Sequence, residues 1–373
     1  MILRNGEILT GNFTFEKLDL ELDETISDIF MKDDRAVPAI DDVLDLSGCY
    51  VLPGFFDVHT HGAVGLDSMD YDDFSTWRDY MYQNGIMNFF PTTVSETKEN
   101  ILEALAKLAQ EEDVIGINLE GPYLEAGHKG AHEEATIRPA DVEEMRLFQK
   151  TSGNKIKLTT IAPDIEGNVD FIRQITKEGV RVALGHTNAT YEEAMEGFAA
   201  GATECTHLFN AMTPLVHRAP GMAGAAMDCK NAFCEVISDG IHLDPAVVRI
   251  AYAVLGSERM VLISDSMAAT GLADGEYQLG GLKIIVKDGV ARTEYGAIAG
   301  STKNIRQMVQ KAISFGIPLT EAIKMATLTP ARAMGMEDKL GSIEIGKQAD
   351  LVITDKDLEV LYAIKKGQVV YQK

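Results

Sequence analysis

With 373 residues, 46% of them hydrophobic and 24% charged, the chain has the balance of a soluble globular protein, long enough for one large domain and a smaller companion. Its formal net charge of −23 argues against nucleic acid or an anionic membrane as a partner, so an anionic substrate would need basic residues gathered locally against that field. Four cysteines without a CxxC pair, no signal-peptide-like apolar start and no apolar run approaching roughly 18 residues point to a reducing cytoplasm and no membrane span.

The first stretch, residues 1–48, consists of short alternating segments broken by turns, such as LRNGEILTGNF. The last, GSIEIGKQADLVITDKDLEVLYAIKKGQVVYQK, reads the same way, with KKGQ as a turn. Together they predict a small β-sandwich built from both termini, residues 1–48 plus 342–373, flanking a domain over 49–341. That domain holds eight apolar runs: YVLPGFFDVH, MNFFPTTV, VIGINLEG, KIKLTTIAP, VRVALGH, ECTHLFNA, FCEVISDG and RMVLISDS. Short runs of this kind suit buried parallel strands. Helical patterns lie between many of them. Ile101, Leu105 and Leu108 recur at i, i+4, i+7, and Thr190, Glu193 and Gly201 mark the two ends of another helix. Strand–helix alternation with eight strands predicts an α/β fold of the (β/α)8 TIM-barrel type. An open doubly wound sheet is the alternative, but no GxGxxG follows the first strands.

The chemistry sits where the strands end, as it does in barrels of this kind. In DVHTHG, His59 and His61 at i and i+2 share a strand face, with Asp57 behind them. The third run ends in Glu120, the fifth in His186, the sixth carries His207, the seventh leads into His242, and the eighth ends in Asp265. Five of the eight histidines thus occupy strand ends, leaving His128, His132 and His217 in loops. Taken singly, each residue has an ordinary structural explanation: a satisfied core histidine, a Glu paired with a Lys, an Asp capping a helix. Cys205, two residues before His207, reads as packing. Together they line a barrel mouth with groups that are costly to bury unless something compensates them, and a divalent cation does. Imidazole and carboxylate ligands suit zinc, iron, manganese or cobalt, with one or two ions. Such an ion lowers the pKa of bound water and yields a hydroxide nucleophile, while a nearby carboxylate moves the remaining proton. No GxSxG offers a rival nucleophile.

PGFFDVHTHG resembles the first-strand signature of the amidohydrolase superfamily, and GSIEIGKQADLVI its C-terminal segment. LEGPYL, GHTNAT, THLFNAM, HRAPG, SDGIHLD and SDSMAATG resemble the N-acetylglucosamine-6-phosphate deacetylase family within it, over nearly the whole chain. The resemblance implies a distorted (β/α)8 barrel with a β-sandwich. It also implies hydrolysis of N-acetylglucosamine 6-phosphate to glucosamine 6-phosphate and acetate. Glu120, His186 and His207 match the family's main metal ligands, and Asp265 its catalytic acid/base. His59 and His61 match an additional metal position found in some members, which favours two ions bridged by Glu120.

The same resemblance assigns the substrate contacts. His132 matches the histidine near the acetyl carbonyl. Asn210 and Ala211 match a phosphate-receiving segment, and Arg218 and His242 match phosphate or sugar contacts. Ala297–Ser301 matches the cover over the sugar. In the family the arginine comes from the neighbouring subunit, so a homodimer is expected to complete the site. Rival readings are a dihydroorotase- or hydantoinase-like enzyme, a deacetylase for N-acetylgalactosamine 6-phosphate, and an inactive scaffold. The first normally carries a modified lysine at the end of strand four, where KIKLTTIAPD has none.

Overall fold

The computed structural model describes residues 1–31 and 43–373; residues 32–42, part of the expected N-terminal sandwich segment, lie outside the described residues. Eight strands form one parallel sheet in chain order: β1 (Phe55–Thr60), β2 (Ile86–Thr93), β3 (Ile117–Glu120), β4 (Ile156–Ile161), β5 (Arg181–Leu184), β6 (Glu204–Cys205), β7 (Phe233–Val236) and β8 (Met260–Leu262). β1 and β2 are buried along their whole length. Both faces of such a strand are covered, which is why FFDVHT and IMNFFPTT read as runs and not as alternations.

The barrel is distorted in two ways. The β1–β2 ladder slips twice, between Ile86 and Asn88 and between Phe89 and Pro91. The first and last strands share no ladder. They meet just beyond their ends, through a parallel bridge of Thr60 with Ser266, with the Asp265 amide donating to the His59 carbonyl (2.9 Å) and the His61 amide to the Ser266 carbonyl (2.7 Å).

A helix follows each strand: α1 (Phe74–Gln83), α2 (Lys98–Gln110), α3 (Val142–Thr151), α4 (Asn168–Lys177), α5 (Tyr191–Ala200), α6 (Gly221–Asp228), α7 (Pro245–Arg259) and α8 (Ile305–Ser314), with two short helices, Leu319–Met325 and Leu328–Ala333, after the last. On α2 the predicted stripe faces the sheet: Ile101, Leu105 and Leu108 are buried with Ala104. Each large apolar side chain removed from water in this way contributes about 1.5–3 kcal/mol. α5 starts on a capping box between Thr190 and Glu193 and ends at Gly201, so two otherwise unpaired amides at its start are satisfied by side chains.

The termini pack as two sheets. A six-stranded sheet runs in the order Gln368–Gln372, Val360–Lys365, Leu351–Thr354, Tyr50–Pro53, Glu7–Leu9, Phe15–Lys17, and a four-stranded one in the order Ile26–Phe30, Asp19–Leu22, Ile2–Arg4, Val43–Asp45. Leu3, Ile8, Leu20, Ile26, Val51, Leu351 and Ile364 share one core. The strand Tyr50–Pro53 belongs to this unit, so the sheet extends past the boundary expected at residue 48, and VLPGFF is two strands hinged at Gly54.

A three-stranded antiparallel sheet, β9 (Gly275–Leu279), β10 (Leu282–Lys287) and β11 (Val290–Thr293), is inserted between β8 and α8. It was not expected from the sequence, although Gly280-Gly281 and Asp288-Gly289 are strong hairpin signals. Gly280, Asp288 and Gly289 all take positive φ. Leu279, Ile284, Val286 and Ala291 pack against Val94, Met267 and Ala299, which sets the sheet beside the barrel mouth.

Candidate active site

At that mouth the backbone itself is unusual. His186, His207 and Asp265, each just past a strand end, take φ of 46°, 26° and 49°. Left-handed backbone is unfavourable for residues with a side chain and persists where the surroundings impose it. The effect is to turn three strand-end side chains inward, toward those of β1 and β3. At Gly62, after His61, a Cβ would stand 2.1 Å from the Leu66 carbonyl oxygen, so only glycine fits this turn.

Five of the predicted strand-end residues, His59, His61, His186, His207 and Asp265, gather around a sixth, Glu120. His186 Nε2 and His207 Nε2 each lie 3.1 Å from Glu120 Oε1 and 3.0 Å from one another. On the other side, His61 Nε2 is 3.2 Å from Glu120 Oε2 and 3.2 Å from Asp265 Oδ1, and His59 Nε2 is 3.4 Å and 3.6 Å from the same two oxygens. All six are buried. The far nitrogen of each ring is occupied. Nδ1 of His61 faces the Thr92 carbonyl (2.9 Å), that of His186 the His128 carbonyl (2.8 Å), that of His207 the Asn210 carbonyl (3.2 Å), and that of His59 the Glu235 carboxylate (3.0 Å). A carbonyl can only accept, so Nδ1 carries the proton and Nε2 is left to face the cluster, the arrangement usual for metal-ligating histidines.

The donor set fits a divalent cation. His59 Nε2 is buried with no hydrogen-bond partner, so the protein leaves it aimed at a position that no protein group fills. Atoms held at about 2.0–2.2 Å from one ion stand roughly 3–3.5 Å apart, the range of separations seen here. Two groups of close ligand atoms occur among the described residues: His59, His61 and Asp265, and Glu120, His132 and His186.

The electrostatics agree. Burial alone would lift the Asp265 carboxyl, but the His61 hydrogen bond and the His59 charge bring it down to about 2. Against the same burial penalty, Glu120 is held well below the usual carboxylate range by the His59 charge and by the His132, His186 and His207 rings ranged against its carboxylate. Burial would depress His61, yet hydrogen bonds to Asp265 and Glu120 push it up to about 9. His186 goes the other way, to about 4, because burial dominates. Two buried anions thus draw positive charge into the cluster, as protons on imidazole in the absence of an ion.

The remaining expected residues divide. His132 enters the cluster, its Nε2 3.5 Å from Glu120 Oε2, while its Nδ1 accepts the Ser95 amide at 3.0 Å. Ala211, Asn210 and His242 line the same cavity of about 360 Å³, with Ile298 and Gly300 from the expected cover. The Asn210 side-chain amide donates to the His207 and Leu208 carbonyls. His242 Nδ1 is held by Asp239 Oδ2 at 2.8 Å. Arg218 does not line the cavity of its own chain; it is exposed, its Nε 3.1 Å from His217 Nε2. Sequence reasoning missed Glu235, Asp239 and Ser95. A charge inside the apolar run FCEV was the only visible signal for the first. Cys205 packs as expected, buried beside Cys234 on β7.

The amidohydrolase family model matches residues 50–370. The N-acetylglucosamine-6-phosphate deacetylase of Vibrio furnissii is 36% identical over 340 residues, covering 88% of this chain and 85% of its own. The N-acetylgalactosamine-6-phosphate deacetylase of Escherichia coli O157:H7 is 37% identical over 327 residues, covering 85% and 86%. Among solved structures, a mutant N-acetyl-D-glucosamine-6-phosphate deacetylase of Mycobacterium smegmatis, in complex with N-acetyl-D-glucosamine-6-phosphate, superimposes with a TM-score of 0.92 at 34% identity, covering 100% of this chain and 99% of the other. Matched in this way along most of its length, the chain belongs to the amidohydrolase family.

Proposed function

We propose that the protein hydrolyses the acetamide of N-acetylglucosamine 6-phosphate, releasing acetate and glucosamine 6-phosphate. The observation that carries this is the convergence of four imidazole Nε2 atoms and two carboxylates on one point of the barrel mouth, in a chain whose relatives bear that activity in their names. His59, His61 and Asp265 would hold one cation and His186 and His207 a second, with Glu120 between them. Bound there, a zinc, iron, manganese or cobalt ion supplies Lewis acidity toward the acetyl carbonyl and lowers the pKa of water.

The side chains supply the rest. Asp265 is a carboxylate at the cluster's edge; it takes a proton from the attacking water and returns it to the departing sugar nitrogen. His132 acts as a donor. The Ser95 amide occupies its Nδ1, so its proton sits on Nε2 and points into the cavity, where it bonds the acetyl oxygen as charge develops there.

The phosphate needs a cation, and no Lys or Arg is among the described residues lining the cavity. Arg218 would supply it from a second copy, its guanidinium fork matching phosphate oxygens, with Asn210, Ala211 and His242 receiving the other side. Leu215 and Val216, 52% and 46% exposed beside it, offer apolar surface for such a homodimer. We place the protein in the cytoplasm, where four free cysteines stay reduced. None of its described helices is long and apolar enough to cross a membrane.

The galacto epimer is a second reading, favoured by the Escherichia coli relative, which is as similar as the one from Vibrio furnissii. The test is acetate release from both hexosamine 6-phosphates and from unphosphorylated N-acetylglucosamine, with metal content measured on the same sample. No acetate from a metal-replete preparation overturns the reading.

A further inference from the structure

Glu235 lies within β7, an acidic side chain in an otherwise apolar strand, and is 1% exposed. Its Oε2 does two things at once. It faces His59 Nδ1 at 3.0 Å and accepts the backbone amide of His207 at 3.2 Å. These two histidines belong to opposite sides of the cluster: His59 Nε2 faces Glu120 Oε2, and His207 Nε2 faces Glu120 Oε1. A single carboxylate oxygen on a strand that contributes no residue to the cluster thus touches both halves of it.

We propose that Glu235 is a positioning residue that decides whether the centre holds two cations or one. This rests on the reading that the cluster binds cations. The argument is one of tautomers. An imidazole ligates through a nitrogen that bears no proton. His61, His186 and His207 have their Nδ1 protons fixed by backbone carbonyls, which no side-chain substitution removes. His59 alone among the four depends on a side chain. Its ring is fully buried, and among the described residues Glu235 is the only hydrogen-bond partner of its Nδ1. Without Glu235, the Nδ1 proton loses its acceptor. The ring then either turns or moves its proton to Nε2, and in both cases the nitrogen facing Asp265 and Glu120 stops being a ligand. The loss falls on the side shared by His59, His61 and Asp265. The pairing of His186 and His207 with Glu120 keeps both of its Nδ1 supports and loses only the acceptor of the His207 backbone amide.

Glu235→Gln and Glu235→Leu separate the possibilities. Gln keeps an acceptor oxygen for both donors, removes the charge and puts an NH2 where Oε1 has no partner; Leu fills similar space and accepts nothing. Each protein, with the wild type, is stripped of metal, reloaded with Zn²⁺ or Co²⁺, and measured for equivalents bound, affinity of each equivalent and the Co²⁺ absorption spectrum. We expect two equivalents in the wild type. Glu235→Gln should also bind two, the weaker one loosened by about 10–100-fold, the scale of such supporting contacts. Glu235→Leu should bind one, with the Co²⁺ bands of the lost position missing. A folded Glu235→Leu that still binds two equivalents at wild-type affinity overturns the inference. If that variant does not fold, unchanged affinities in Glu235→Gln overturn it instead. A wild type that takes up no cation sinks the underlying metal reading, and this inference with it.

Discussion

His186 and His207 face one another through their Nε2 atoms at 3.0 Å, each with its Nδ1 tied to a backbone carbonyl. Two lone pairs at that distance repel unless something positive stands between or beside them, either a proton or a metal ion. The same competition governs His61, whose buried ring is held up to about 9 by Asp265 and Glu120. A raised pKa means the metal-free protein retains that proton below about pH 9 and must release it on loading. Apparent metal affinity should therefore rise with pH, by up to about tenfold per unit for each proton displaced, and level off near the folded pKa. Competition against a chelating dye over roughly pH 6 to 9 measures the slope; a flat profile contradicts the assignment.

His132 offers a sharper discrimination. Its nitrogen lies close enough to Glu120 and His186 to be grouped with them as a ligand, yet the Ser95 amide fixes the proton on the nitrogen that faces the cavity. His132→Ala should leave metal stoichiometry unchanged and lower kcat by about 10²–10³-fold, the loss typical of one donor to a developing oxyanion. A drop in bound metal would make it a ligand instead.

For Asp265, replacement by Asn keeps size and removes the proposed base. The variant should fold and retain metal at the Glu120, His186 and His207 side while kcat falls by at least about 10²–10⁴-fold. Single-turnover acetate release at saturating substrate reads this directly. Undiminished turnover in a metal-replete sample would take Asp265 out of the proton-transfer role.

If Arg218 acts across a subunit interface, two crippled proteins should complement each other. Arg218→Ala should raise KM for the phosphorylated substrate far more than for N-acetylglucosamine. Mixed one to one with Asp265→Asn and allowed to exchange subunits, half the dimers are hybrids with one complete site each, so activity should return to about a quarter of wild type. No recovery despite confirmed exchange places the arginine in its own chain's site.

Much of this was legible from residue order because the candidate ligands sit at strand ends, and a strand end shows in sequence as a polar residue closing an apolar run. Glu120, His186 and Asp265 were visible in this way, and so were the caps of α5, which depend only on neighbours three residues apart. What was not legible depends on contacts between distant segments. Glu235 meets His59 across 176 positions and Ser95 meets His132 across 37, and nothing local to either pair announces its partner. The left-handed turns at His186 and His207 were hidden for the opposite reason. Such backbone is uncommon for any residue but glycine, and here the surrounding site imposes it. The β9–β11 sheet shows plain turns in the sequence, but it is an insertion outside the strand–helix alternation and docks through contacts with Met267, Ala299 and the distant Val94.

The closure between β1 and β8 has a mechanical consequence. Where other neighbouring strands share a ladder, this joint has a short bridge and a few amides: His61 and Gly62 to the Ser266 carbonyl, and Asp265 to that of His59. The residues on either side of the joint, His59 and His61 on one and Asp265 on the other, are the proposed grip on one cation. An ion held by both would act as a clasp, reinforcing a closure that the bridge and the amides already make. Amide hydrogen exchange should show it: stripping the ion should speed exchange at His61, Gly62 and Asp265 well before the β4–β5 ladder responds. An empty centre would then be a hoop with a weaker seam, more open to proteases, and the cell's supply of ion would bear on how long the protein lasts as well as how fast it works.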